Sequence, residues 1–274
     1  MENIIWEVQT TKEPLYPSFI WDKPENKLHG SSLLIVGGSS SSFNHVSDAY
    51  IASNQLVFSN VITVLPNSLE KITKNILLNC YYGQINKSGG LAMTNLDLLI
   101  NSLANVDSVL LPGNLSESSE TSLLIEKFLS VDISKNIIIC NDTWRLLTTN
   151  ILENNPGRFI LIGELAQIQK LLSQFKFPEN FKSSDELVKI VQIIQKFCLK
   201  QQLKLITKIG EDIIFFQDKQ VSLSKPAVKL ETTNWQTELS VIIASWIKNK
   251  DNNIFQKITT AIFEYLNNGA ARRT

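Results

Sequence analysis

The sequence predicts an α/β protein, a mostly parallel sheet with helices on both faces. Three observations carry that expectation. Short apolar runs such as Ser32–Gly37 and Phe159–Ile162 recur along the chain and stop at glycine, proline or asparagine. Runs of that kind are strands buried on both faces. Amphipathic stretches lie between them, and the connections are short, which is the pattern of parallel strands joined by crossover helices. No internal repeat is visible, and no linker splits the chain.

The elements are expected in this order. Residues 1–30 form an extended arm, because Pro14, Pro17 and Pro24 punctuate a segment holding Trp6, Tyr16, Phe19 and Trp21, and proline denies regular helix or a central strand. The α/β domain spans 31–274. It begins with the strand ending at Gly37. A helix over 46–53 follows, with Ala49 and Ala52 on one face. The strand 60–65 is stopped by Pro66. Helical stretches are read over 69–78 and 96–103, and a strand over 107–111 before Pro112. A helix over 120–129 leads to the strand 136–140. A helix over 143–152, a strand over 158–162 and helices over 164–175 and 185–200 come next. Strands over 203–207 and 212–216 flank a turn at Lys208–Gly210. Two helices, 238–248 and 253–267, close the chain.

Composition bounds the function. The chain has 274 residues, 43% hydrophobic and 19% charged, with 26 basic and 26 acidic side chains. That is enough apolar content for a sizeable core, and zero net charge points to neither nucleic acid nor an acidic membrane surface. Three scattered cysteines, Cys80, Cys140 and Cys198, and two histidines, His29 and His45, give neither a disulfide framework nor a zinc site. The Met-Glu-Asn-Ile-Ile-Trp-Glu start lacks the features of a signal peptide. A soluble cytoplasmic protein with reduced thiols is expected.

Ligands of such folds sit at the carboxyl ends of the strands, so the residues there are the candidates. Gly37-Gly38 reads first as a tight turn, since no further glycine completes a nucleotide fingerprint. Ser39–Ser42 could hold a ligand or form a flexible loop. Asp142 could orient a substrate hydroxyl, but Asn141-Asp142 before a helix reads more simply as an N-cap. Lys208 could meet a phosphate or be solvated, and Gly210 serves a turn. His45, one imidazole without an obvious partner, reads as a surface or satisfied side chain rather than a catalytic one. Lys196, Lys200 and Lys204 read as a solvated basic patch.

Taken in order, these strand ends resemble the ribokinase-like superfamily, and within it the ADP- or ATP-dependent NAD(P)H-hydrate dehydratases, over roughly residues 22–271. Pro24–Lys27 is similar to the family's Pro and His-Lys turn before the first strand. Leu33–Ser39 resembles its first strand and Gly-Gly-Ser, Val109–Gly113 its strand ending in Gly-Pro-Gly, and Glu120-Thr121 the opening of the next helix. Ile138–Asp142 is similar to a strand ending in Asp-Ala-Asp, Phe159–Glu164 to Thr-Pro-His-x-Gly-Glu, and Ile206–Gly210 to a Leu-Lys-Gly turn. The resemblance implies a single three-layer α/β/α domain. It implies substrate contacts at Gly38, Ser39, Ser40, Gly113, Asn114 and Asp142, and nucleotide contacts at Lys208, Gly210, Asn234 and Gln236. It also implies ADP or ATP with Mg and an NAD(P)H-like ligand.

The chain departs from the family where the chemistry lies. The Gly-x-Gly-Asp loop falls on Asn234–Thr237, so Thr237 takes the place of the aspartate base. Threonine is no base at neutral pH. Without the glycines, phosphate cannot approach the backbone closely, and Trp235 puts an indole there. Glu238 lies about 100° further round the helix. Thr233 and Gln236 have capping-box spacing. Ile162 replaces the family histidine before Gly163-Glu164. The expectation is a pseudoenzyme that keeps a nucleotide or small-molecule pocket. The alternatives are an active dehydratase with a relocated base, Glu238 or Asp142, and a structural subunit. Spaced aromatics in the arm, and the habit of relatives to assemble, imply a homo-oligomer.

Overall fold

The structure, a computed structural model, describes residues 5–131, 134–227, 234–248 and 252–271. In chain order its elements are β1 (Ile5–Thr10), β2 (Ser31–Val36), α1 (Asn44–Asn54), β3 (Phe58–Pro66), α2 (Glu70–Thr73), β4 (Cys80–Gly83), α3 (Leu96–Ser102), β5 (Ser108–Leu111), α4 (Ser119–Leu129), β6 (Asn136–Ile139), α5 (Thr149–Glu153), β7 (Phe159–Gly163), α6 (Leu165–Gln174), α7 (Leu187–Gln201), β8 (Lys204–Ile209), β9 (Asp212–Gln217), β10 (Gln220–Lys225), α8 (Trp235–Trp246) and α9 (Ile254–Ala271). The strands are mostly parallel, with helices packed on them. The expected fold class is therefore the observed one. The residues group into two compact units, one of 24–147 with 234–251 and one of 1–23, 148–233 and 252–274.

The first unit has strand order β6-β5-β2-β3-β4, every pair parallel. All six residues of β2 and all four of β5 are buried. Successive strand side chains point to opposite faces, so both faces of these strands are covered. Helix α8 is buried at every residue but Glu238, as a helix enclosed by its neighbours is. It packs on α1 and on β2, β5 and β6.

The second unit has order β1-β10-β9-β8-β7. β7 and β8 run parallel, β9 is antiparallel to both its neighbours, and β1 joins β10 in parallel. The segment read as an arm therefore runs partly as an edge strand, residue by residue from Ile5 against Gln220 to Thr10 against Lys225. Gln9 anchors it: its amide donates to Ser224 Oγ at 2.7 Å and to the Thr259 carbonyl at 2.8 Å. Pro17–Asp22 follow as a 3-10 turn.

Three expectations need correction. The helix read over 143–152 is a 3-10 turn over Asn141–Leu146 and then the short α5. Leu147 is extended, and the Thr148 side chain caps a new helix through Ile151 N. Of 69–78 only Glu70–Thr73 is α-helical, because the chain turns after Thr73, and Leu78 N donates to Tyr50 Oη. Lys204 is no solvated residue. It is 8% exposed, its Nζ donates to the Gly157 carbonyl, and burial lowers its pKa to about 8.

Candidate functional site

The candidate site belongs to the first unit and gathers at the carboxyl ends of β2, β5 and β6 and the starts of α1 and α8. The strand ends approach closely. A Cβ on Gly37 would lie 2.7 Å from the Gly113 carbonyl oxygen and 2.8 Å from Val46 Cγ2. Gly38 N donates to that same carbonyl at 3.3 Å. Gly113 itself has φ +125°, a conformation open to glycine but strained for other residues. A Cβ there would run into Asp142 Oδ1 and come 3.0 Å from His45 Cδ2. Asp142 and His45 thus flank one point of the backbone.

Asp142 is not the N-cap that its position suggested. The 3-10 turn at Asn141–Leu146 has no side-chain cap. Asp142 Oδ1 instead accepts from Asn114 N at 2.8 Å, tying the loop after β5 to the loop after β6. Asn114 Oδ1 in turn accepts from His45 N at 2.7 Å, tying that loop to α1. Arg145 braces the same corner. Its guanidinium lies 3.3 Å from Asp142 Oδ2 and 2.5 Å from Glu117 Oε1, and donates to the Leu115 carbonyl. His45 Nδ1 is buried and makes no hydrogen bond to the described residues.

The serine loop is structured rather than flexible. Ser39 and Ser42 exchange backbone bonds of 2.8 and 3.1 Å, and Ser40 N donates to the Gly89 carbonyl at 2.8 Å. Asn86 shapes the facing loop. Its amide donates to Ser118 Oγ and Thr121 Oγ1, each at 2.9 Å, and its oxygen accepts from Ser88 N and Gly90 N.

The start of α8 is knitted into the site by side chains. Thr233, and with it the capping box read at Thr233 and Gln236, lies outside the described residues. Gln236 Oε1 accepts from Asn141 N at 2.8 Å. The Asn141 amide donates at 2.8 Å to both Thr237 Oγ1 and the Pro112 carbonyl. Asn234 Nδ2 reaches Asp48 Oδ2 at 2.7 Å. Trp235 and Thr237 are buried, and Glu238 is half-buried in the first helical turn. Beneath them Cys140 is fully buried, which pushes its thiol up to about 12 against the pull of a Ser240 hydrogen bond. It stays protonated and is no nucleophile at neutral pH.

Sequence reasoning named Gly38, Ser39, Ser40, Gly113, Asn114, Asp142, Asn234, Gln236 and Thr237, and the structure brings these to one end of the first unit. It missed Asn141 and Asn86 as the residues that organise the loops. Asn141 sits in the left-handed region, φ +50°, which asparagine tolerates better than most residues, and that was the available signal. Lys208 and Gly210 belong to the second unit. Lys208 Nζ pairs with Glu211 Oε2 at 3.1 Å, and Gly210, φ +63°, turns the β8–β9 hairpin. Among the described residues no cluster of three or more His, Cys, Asp or Glu could hold a metal ion, and no helix is long and apolar enough to cross a membrane.

No family model matches the chain, and no curated protein matches its sequence. Solved structures do match its fold. A ribokinase-like superfamily protein of Enterococcus faecalis V583 superposes with a TM-score of 0.72 at 12% identity, covering 100% of this chain and 91% of that one. YxkO of Bacillus subtilis, of the UPF0031 family, gives 0.62 at 10% identity over 95% and 89%. The ADP/ATP-dependent NAD(P)H-hydrate dehydratase of Bacillus subtilis, co-crystallised with ATP/Mg2+ and soaked with CoA, gives 0.58 at 10% identity over 95% and 88%. The chain thus has a ribokinase-like fold, as the resemblance implied.

Proposed function

We propose that this chain is a ribokinase-fold protein that has given up phosphoryl transfer and keeps a small-molecule cleft at the carboxyl ends of β2, β5 and β6. The observation that carries this reading is the Asn141 bridge. The start of α8, where the resemblance puts a glycine-flanked phosphate cradle and an aspartate base, instead presents side chains already engaged: Gln236 with the Asn141 backbone N–H, Thr237 with the Asn141 amide, and Asn234 with Asp48. A phosphate cradle needs backbone N–H groups open to the ligand. Here Trp235 is packed in the first turn, and no glycine lets phosphate come close. ATP with Mg, present with the Bacillus dehydratase, does not fit this end of α8.

The rate consequence can be sized. A general base is worth about 10²–10⁴-fold, and an oxyanion donor about 10²–10³-fold. Losing both leaves little useful turnover. Hydrated NADH with ADP or ATP and Mg is therefore expected to turn over at background. The loop-restoring variant Asn234→Gly, Gln236→Gly, Thr237→Asp is expected to rise above the native protein. Native turnover at an ordinary enzymatic rate, about 1 s⁻¹ or more, would overturn the reading and turn attention to Glu238 as the relocated base.

A further inference from the structure

The cleft described so far lies at the carboxyl ends of the strands. A second concavity lies at the opposite end of β3, where that strand begins. It measures about 190 Å³, and its walls include Lys27, Tyr50, Leu56, Phe58, Asn60 and Leu78. An apolar cavity of about 150 Å³ already holds benzene. This one therefore has room for one small ring or short branched chain with a polar head, and not for a nucleotide.

On Lys27, Tyr50 and Asn60 the hydrogen-bonding capacity left open is mainly donor capacity. Tyr50 is 5% exposed, and its oxygen already accepts from Leu78 N at 2.9 Å. Its phenolic proton remains to be given. Asn60 Oδ1 already accepts from the Asn79 amide at 3.3 Å, which leaves the Asn60 NH₂ as donor. The two serines of the wall are spent on backbone carbonyls, Ser53 on Tyr50 O and Ser59 on Ser31 O. Lys27 is the only charged side chain of the lining, and it has no ion-pair partner among the described residues. An ammonium has donors only. Phe58, Leu56 and Leu78 supply the apolar walls, and Leu78 stays 71% exposed at the rim, a surface that ligand burial would take from water.

We propose that this pocket binds a small organic monocarboxylate with an apolar body of about benzene size. The carboxylate would face Lys27, the Tyr50 hydroxyl and the Asn60 amide, and the apolar body would lie against Phe58 and Leu78. The site is independent of the cleft at α8 and of what happens to phosphate there.

The test uses sodium benzoate as probe, titrated into the full-length ¹⁵N-labelled protein and followed by amide shifts. The expected result is saturable binding with a Kd of about 1 mM or tighter, with shifts confined to the surroundings of Lys27 and to residues 50–61 and 78–79. Lys27 is exposed, so Lys27→Gln leaves the fold intact, and it should weaken benzoate about tenfold or more. Benzamide has the same shape without the charge and should bind weaker by a similar factor. Absence of saturable shifts overturns the proposal. So does equal affinity of the native protein and Lys27→Gln, or benzamide binding as tightly as benzoate.

Discussion

Replacing Asn141 tests the bridge on which the functional reading rests. Asn141→Gly keeps the left-handed backbone and its N–H to Gln236 but removes the carboxamide. Two hydrogen bonds of 2.8 Å are lost, to Thr237 Oγ1 and to the Pro112 carbonyl. Thr237 and Pro112 are buried, so water does not simply replace the donor. A buried polar group left without its partner costs about 1–3 kcal/mol. Glycine relieves the φ +50° conformation, worth about 1 kcal/mol in the other direction. Two such groups cost about 2–6 kcal/mol, so against the gain from glycine the net loss should be about 1–5 kcal/mol, a sizeable share of a typical stability of about 5–15 kcal/mol. Asn141→Ala loses the same bonds and keeps the strain, so it should fall about 1 kcal/mol below Asn141→Gly. Urea unfolding followed by tryptophan fluorescence measures both, since Trp144 follows Asn141 closely in the chain and Trp235 adjoins its partner Gln236. A loss under about 0.5 kcal/mol for Asn141→Gly, within the ordinary scatter of surface substitutions, would refute the reasoning. So would an alanine variant as stable as the glycine variant.

Two further outcomes are expected. Burial, the dominant cause, lowers the Lys204 pKa to about 8, so between there and its unfolded value of about 10.4 the unfolded chain holds more protons, and Lys204 makes stability rise with pH by up to about 3 kcal/mol. Urea midpoints from pH 7 to 10 should show this rise as a difference between the native protein and Lys204→Met, because buried thiols such as Cys140 pull the other way above about pH 9 in both; a difference that does not change with pH refutes it. The chain is also expected to be a homo-oligomer through the segment around Trp21, which is 86% exposed; light scattering should give a mass above 30.9 kDa that drops with Trp21→Ser, and a native monomer refutes it.

What was legible in the sequence follows from which interactions are local. β2, β5, β6 and β7 are continuous apolar runs because they are covered on both faces, and a run of that kind shows without knowing its partners. β10 does not show, because Gln220–Lys225 alternates valine and leucine with serine. Its serines are buried only because Gln9 and Thr259 meet their hydroxyls, and those partners lie far away in the chain. β4 is four residues long and carries no apolar run. β1 was hidden by the prolines that follow it. In the site, glycine positions were legible because close approach of backbone permits little else. The roles of Asn141 and Asp142 were not, because each is defined by a partner 28 or 96 residues away. A local N-cap pattern competed for Asp142, and the loop-to-loop bond won.

The two halves of the cleft carry different weight in the functional proposal. Around Gly37 and Gly113 the backbone approaches as closely as glycine allows, and the proposed small-molecule cleft rests on that approach. At the start of α8, a phosphate would first have to break the Asn141 bonds to Gln236 and Thr237. Each such bond contributes about 1 kcal/mol net, so opening both costs about 2 kcal/mol, roughly thirtyfold in affinity, before any contact with the ligand is made. The carboxylate of Asp48, 2.7 Å from Asn234 Nδ2, adds a charge unfavourable to a polyanion there. On the proposed reading, closing a phosphate site takes no collapse of the fold. It takes an asparagine that can reach across two strand ends, a glutamine and a threonine to receive it, and the loss of two glycines.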